Sequence, residues 1–167
     1  MALRINPVRS HCNLAMPAGR MGEKEYPMPD ANIPDMSNPD TSNPDTQALA
    51  AIQAVVQTYL DGLYEGDADK LASAFHPTAE LRSEKDGEIA ILPRETWLEA
   101  VRHRPSAASQ SLERLDRILA IDLAGPELAV VKLNCQIPPR YFTDVLVLLK
   151  LAGGWRIASK AFRSDTR

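Results

Sequence analysis

The chain has 167 residues, of which 44% are hydrophobic and 25% charged, with a formal net charge of −3. That is the composition of a globular protein with room for one ordinary domain, and its mild acidity removes the electrostatic basis for nucleic-acid binding. No apolar run approaches the roughly 18 residues that span a bilayer, and the longest, VLVLLKLA, is interrupted by Lys150.

Residues 1 to 46 differ from the rest. They hold seven of the thirteen prolines, and the stretch from Asn38 to Thr46 repeats NPDTSNPDT. Proline every few residues denies a chain both helix and ladder hydrogen bonds, so this segment is expected to be a disordered tail. Arg4, Arg9 and Arg20 precede the first acidic residue, Glu23, as in a transit peptide, but the prolines spoil an amphipathic helix and no long apolar signal core is present. A simpler account is a start assigned too early, with Met16, Met21, Met28 and Met36 as alternative starts.

The domain is expected over residues 47–167. In QALAAIQAVVQTYLDGLYEG, Ile52, Val56, Tyr59 and Leu63 recur at spacings of four, three and four, one apolar stripe of a helix with Gly66 just past its end. Asp67 is placed to cap a second helix, ADKLASAF, which Pro77 terminates. His76, at the end of that helix, reads as a cap at the negative pole of the helix dipole, with proton transfer as the alternative. AELRSEKDGEIAIL reads as a hairpin turning at Asp86–Gly87, and Pro93 opens a third helix, RETWLEAVRHR, with Trp97, Leu98 and Val101 facing inward.

The C-terminal half reads mainly as strand. LAVVKLNCQI alternates, and YFTDVLVLLKL and WRIASKAF flank a tight turn at Gly153–Gly154. In SLERLDRILAIDL, Leu112, Leu115, Ile118 and Leu119 fit helical spacing better than alternation, so periodicity favours helix through Ala120. Helices followed by antiparallel strands define an α+β class.

The words YLDGLYEGDADKLASAFHPTAEL, DGEIAILPRETWLEAV and FTDVLVLLKLAGGWRIASKAF, in that order over about residues 48 to 163, resemble the putative lumazine-binding family of the nuclear transport factor 2-like superfamily. The resemblance implies a cone, in which a curved antiparallel sheet wraps three N-terminal helices around an apolar pocket (the cystatin-like arrangement). It also implies that SLERLDRILAIDL is a long strand, and that the protein forms a homodimer through its sheet. The superfamily includes ketosteroid isomerases, dehydratases and polyketide cyclases beside non-catalytic assembly and transport modules, so the fold alone assigns no activity.

Tyr59 matches a helix position where the steroid isomerases carry an oxyanion-binding tyrosine, the alternative being a core tyrosine. The general-base aspartate of those enzymes has no counterpart, because Ser83 and Glu84 stand at its place, and the supporting acid is absent near Tyr141. Asp144 shares a strand face with Phe142, Leu146 and Leu148, and a carboxylate on an apolar face needs a partner or a raised pKa. Its partner would be Lys160 or Arg156. Trp97, Phe142 and Phe162 are candidate pocket walls, with core packing the alternative. Arg102, His103 and Arg104 form either a basic lip for an anionic ligand or a solvated helix end.

His11, His76 and His103 share no ligand spacing, and Cys12 and Cys135 lie far apart, so neither a metal nor a disulfide framework is expected and a cytoplasmic setting fits. With no phosphate loop or nucleophile elbow, no cofactor is expected. These readings converge on a protein that holds a small apolar or aromatic molecule, without nucleic-acid or membrane partners. The alternatives are a proton-transfer enzyme using Tyr59, Asp144 and His76, and a non-catalytic dimeric interaction module. Catalysis would require at least two of those three side chains to share one cavity; an interaction module would fill its cone and expose an apolar sheet face.

Overall fold

The computed structural model describes residues 43–167. The expected disordered tail, with His11 and Cys12, lies outside the described residues up to residue 42. The first helix, α1 (Pro44–Glu65), begins three residues before the expected boundary because Asn43 accepts a hydrogen bond from the Asp45 amide and Pro44 occupies the first turn. Gly66 ends α1 with φ 70°, a left-handed conformation suited to glycine. Asp67 Oδ1 then accepts from the Asp69 and Lys70 amides and starts α2 (Ala68–Ala74).

The cap reading of His76 is corrected here. The helix stops at Ala74, and the amide that bonds back to Leu71 belongs to Phe75. The strand β1 (Phe75–Lys85) has already begun there, so His76 is a strand residue. Pro77 explains this, since it drives the residue before it into extended conformation. The turn at Asp86–Gly87 leads into β2 (Glu88–Pro93), and Pro93 precedes α3 (Arg94–Arg102). Trp97, Leu98 and Val101 are its buried apolar residues, as their spacing predicts.

Four more elements complete the domain: β3 (Arg117–Leu123), β4 (Leu128–Ile137), β5 (Arg140–Leu151) and β6 (Gly154–Thr166). The sheet order is β2-β1-β6-β5-β4-β3, antiparallel throughout except for the parallel pair β1 and β6. The helix suggested over SLERLDRILAIDL is absent. Strand covers only its last seven residues, where Ile118 and Ile121 pair with Leu133 and Val131. Leu115 and Leu119 face solvent, so the leucines at helical spacing never share a buried face.

The stripe of α1 meets the inward residues of the sheet in one core that joins Ile52, Val56 and Tyr59 to Leu133, Leu146 and Ile157. Tyr59 packs edge-on against Phe75, and Phe75 against Trp97, so an aromatic chain ties α1, β1 and α3 together. Three helices held against a mostly antiparallel sheet give the expected cone.

Candidate functional site

Pairing in the sheet decides which side chains meet beneath α1. Asp144 lies opposite Leu133 on β4 and Phe162 on β6, while Cys135 pairs with Phe142 and Lys160 with Leu146. Cys135 and Lys160 are therefore diagonal neighbours of Asp144 on the inner face, within reach of a long side chain. Tyr59 comes down onto the same point from α1.

The result is a closed ring of hydrogen bonds. Lys160 Nζ donates to Asp144 Oδ2 at 2.8 Å and to the Tyr59 hydroxyl at 2.6 Å, and that hydroxyl donates to the same Oδ2 at 2.5 Å. Asp144 is 0% and Lys160 5% exposed. The ammonium also lies 4.9 Å from the Phe162 ring centroid and 5.8 Å from that of Phe142, a cation–π setting. Of the two partners open to Asp144 in the sequence, the structure selects Lys160; Arg156 instead bonds the Trp155 carbonyl.

Burial, followed by the Asp144 charge, pushes the Tyr59 hydroxyl well above its ordinary pKa of 10.0, so it remains a proton donor. The same two causes, in the same order, raise the Cys135 thiol, whose sulfur lies 3.7 Å from Asp144 Oδ2. Cys135 is thus a protonated, buried thiol rather than a nucleophile. Asp144 Oδ1 is buried with no hydrogen-bond partner. Such an acceptor is costly to desolvate, and native structures keep few of them.

Beside the ring is a cavity of about 270 Å³, walled by Leu81, Trp97, Phe142 and Phe162. Lys160 reaches it from the interior, and the exposed Arg104 and Arg140 line its solvent side. Of the expected walls, Trp97, Phe142 and Phe162 border the cavity, while Tyr59 is fully buried behind Lys160. Tyr59 and Asp144 meet each other. His76 does not join them: its Nδ1 lies 2.7 Å from Thr78 Oγ1, in a separate groove with Leu149 and Arg156. Ser83 and Glu84 lie in β1 at the β1–β2 hairpin, where Glu84 accepts from the Gly87 amide.

Of the basic run, Arg104 borders the cavity, whereas Arg102 pairs with Glu99 and Asp69, and His103 pairs with Glu99. Sequence reasoning had no route to Arg140 and saw Lys160 only as a partner for Asp144. A bulge explains the second omission. Ser159 pairs with Val147 but Ile157 with Leu148, so Ala158 is an extra residue that reverses the alternation. Strict alternation from Trp155 would point Lys160 to solvent. Among the described residues, no group of three or more His, Cys, Asp or Glu is arranged to hold a metal ion.

A cone of three helices and a six-stranded sheet, with a cavity between them, defines a protein of the nuclear transport factor 2-like superfamily. A profile of the family described as putative lumazine-binding matches residues 47–163, and the chain belongs to that family. It is 24% identical over 119 residues to the aldolase FrzH of Cladobotryum sp, a match covering 70% of this chain and 91% of that protein. Among solved structures, a nuclear transport factor 2-like protein of unknown function from Shewanella baltica OS155 superposes with a TM-score of 0.66 at 24% identity, covering 73% of this chain and 97% of that one. A putative scytalone dehydratase from Novosphingobium aromaticivorans superposes with a TM-score of 0.55 at 16% identity, covering 75% and 89%.

Proposed function

We propose that this domain binds a compact, largely apolar or aromatic small molecule in the cavity between α3 and the sheet. The observation that carries this reading is the convergence of three aromatic side chains, Trp97, Phe142 and Phe162, on one 270 Å³ space that Lys160 also enters. That volume is near the lower end of the ~300–1,000 Å³ common for ligand sites, which favours a compact ligand. Native mass spectrometry of freshly purified protein tests the reading, together with a thermal-shift screen of aromatic metabolites. Stabilisers should appear, and Trp97→Ala and Phe162→Ala should abolish their effect. A screen with no stabilisers, on protein carrying no retained ligand, would remove the reading.

A second reading adds proton transfer, on the observation that Asp144 Oδ1 is buried and unpartnered beside two proton donors. The aldolase FrzH and the putative scytalone dehydratase bear names of carbonyl and elimination chemistry, in which negative charge develops on a substrate oxygen. Lys160 is the member of the ring that borders the cavity, so its ammonium is the group placed to stabilise such an oxygen. Tyr59 and Asp144, neither of which lines the cavity, hold that ammonium in position, and Oδ1 would take a substrate proton only by relay through that ring. His76 has no part in this scheme. Turnover of a hydroxy-carbonyl substrate that is lost in Lys160→Met while ligand binding persists would establish it; binding without turnover across such substrates would leave a binding protein.

The exposed face of the sheet supports self-association, through Val130, Val145, Val147 and Leu149 on neighbouring positions of β4 and β5. A homodimer through this face is the assembly we infer.

A further inference from the structure

The charge around the cavity is one-sided. Three cationic residues line it, Arg104, Arg140 and Lys160, and no aspartate or glutamate does. The chain as a whole is acidic. Elsewhere among the described residues Arg82, Arg94, Arg102, Arg114 and Arg163 pair with a nearby carboxylate, while Arg117, Arg156 and Arg167, which do not line this cavity, make no ion pair. Arg104 and Arg140 make no ion pair among the described residues, and Arg140 rests its guanidinium 5.6 Å from the Phe142 ring. Although Arg104 as a whole is exposed, partial desolvation of its guanidinium, followed by the charge of Arg140, lowers its pKa. Two like charges therefore line one small cavity, and neither makes an ion pair among the described residues.

Lys160 is different, because Asp144 neutralises it. An ammonium has three N–H donors, and Tyr59 and Asp144 take two. The third remains for a neutral polar atom deeper in the cavity. Phe142 is shared between this interior donor and one of the guanidiniums, with Lys160 Nζ 5.8 Å and the Arg140 guanidinium 5.6 Å from its ring centroid.

We propose that the ligand of this cavity is a small aromatic acid: a carboxylate held by Arg104 and Arg140, with its ring system against Trp97, Phe142 and Phe162. Guanidinium is the cation whose planar donors match a carboxylate, and two of them outside the apolar walls set the orientation of the molecule. A hydroxyl or carbonyl on the far side of the ring would accept from Lys160. This inference rests on the small-molecule reading above and specifies the chemical class of its ligand.

Isothermal titration of the full chain with naphthalene-2-carboxylate and its neutral counterpart, naphthalene-2-methanol, separates the two. The acid should bind tighter by roughly tenfold or more, the range expected for a charge-assisted contact, and added salt should reduce that preference because the arginines are exposed. Arg104→Gln and Arg140→Gln should weaken the acid selectively and leave the alcohol unchanged, whereas Trp97→Ala should weaken both ligands. Arg163→Gln, at an exposed arginine paired with Asp165, should change neither. Equal binding of acid and alcohol, or an acid preference that survives both arginine substitutions, overturns the anionic ligand and leaves the pocket standing. If neither compound binds, the aromatic-acid inference fails, and the small-molecule reading is decided separately by the metabolite screen and native mass spectrometry.

Discussion

Asp144 and Val145 are neighbours on β5 and face opposite sides of the sheet. On the inner side Asp144 is 0% exposed; on the outer side Val145 is 36% and Leu149 39% exposed. The inner face thus hides a charge among hydrocarbon, and the outer face presents hydrocarbon to water. Either arrangement is costly without a partner, and the partners differ in kind. Asp144 finds its partner within the fold, in Lys160. The valines of the outer face have none among the described residues, and a second copy is the partner proposed for them. Departures from ordinary burial are informative on both faces, but only the inner one is already resolved by the chain itself.

The inner face offers the sharpest way to break this comparison. Asp144→Ala leaves the Lys160 ammonium buried without its counter-charge, and removing one partner of a buried pair costs about 3–5 kcal/mol. Urea denaturation should show that loss, and pairing Asp144→Leu with Lys160→Met should restore most of it. A cost no larger than that of a surface ion pair would mean that water reaches the ring. Tyr59→Phe is milder: it keeps the ring that packs on Phe75 and removes one donor and one acceptor. We expect a loss of about 1–3 kcal/mol, because Asp144 and Lys160 then lose a shared partner without losing each other.

How far the sequence reveals these faces depends on how local the information is. The caps at Asp67 and Gly66 and the turn at Asp86–Gly87 follow from one or two residues each and were legible. Asp144 was legible as an anomaly because alternation along β5 is unbroken. Lys160 was not legible as a cavity residue, since the bulge at Ala158 is imposed by pairing with β5 and leaves no mark in the pattern of β6. Arg140 follows a turn, and no period places it. The helix suggested through Ala120 fails for the same reason, because pairing of Ile118 with Leu133 and Ala120 with Lys132 outweighs the local spacing of leucines.

On the outer face, Val145→Glu with Val147→Glu should abolish the proposed dimer in sedimentation experiments. The same pair should change monomer unfolding by no more than about 0.5 kcal/mol, the usual range for surface substitutions. A chain that sediments as a monomer before any substitution would instead leave these valines as unpartnered surface. A smaller effect is expected at Asp61, whose carboxyl the Arg114 hydrogen bond holds below its ordinary pKa of 3.8. A carboxylate with a lowered pKa stabilises the fold above its unfolded value and ceases to do so as pH falls through the folded one. Asp61→Asn should therefore flatten the acid limb of the urea midpoint against pH below about 4 and leave the neutral limb nearly unchanged, since half-exposed pairs contribute about 1 kcal/mol or less.

The smallest effect belongs to His76. Its imidazole bonds the Thr78 hydroxyl in a groove that shares no lining residue with the cavity. His76→Ala removes two exposed hydrogen bonds, to the hydroxyl and the amide of Thr78, and solvent takes up the groups it frees. Stability should change by less than about 0.5 kcal/mol, and titration with a cavity ligand should give the parent affinity. If the imidazole served the cavity, through a moving strand or a shared ligand, affinity or turnover would fall while stability held. That split would place the working site across two faces of β1. Equal values for both would confine any chemistry to the ring of Tyr59, Asp144 and Lys160.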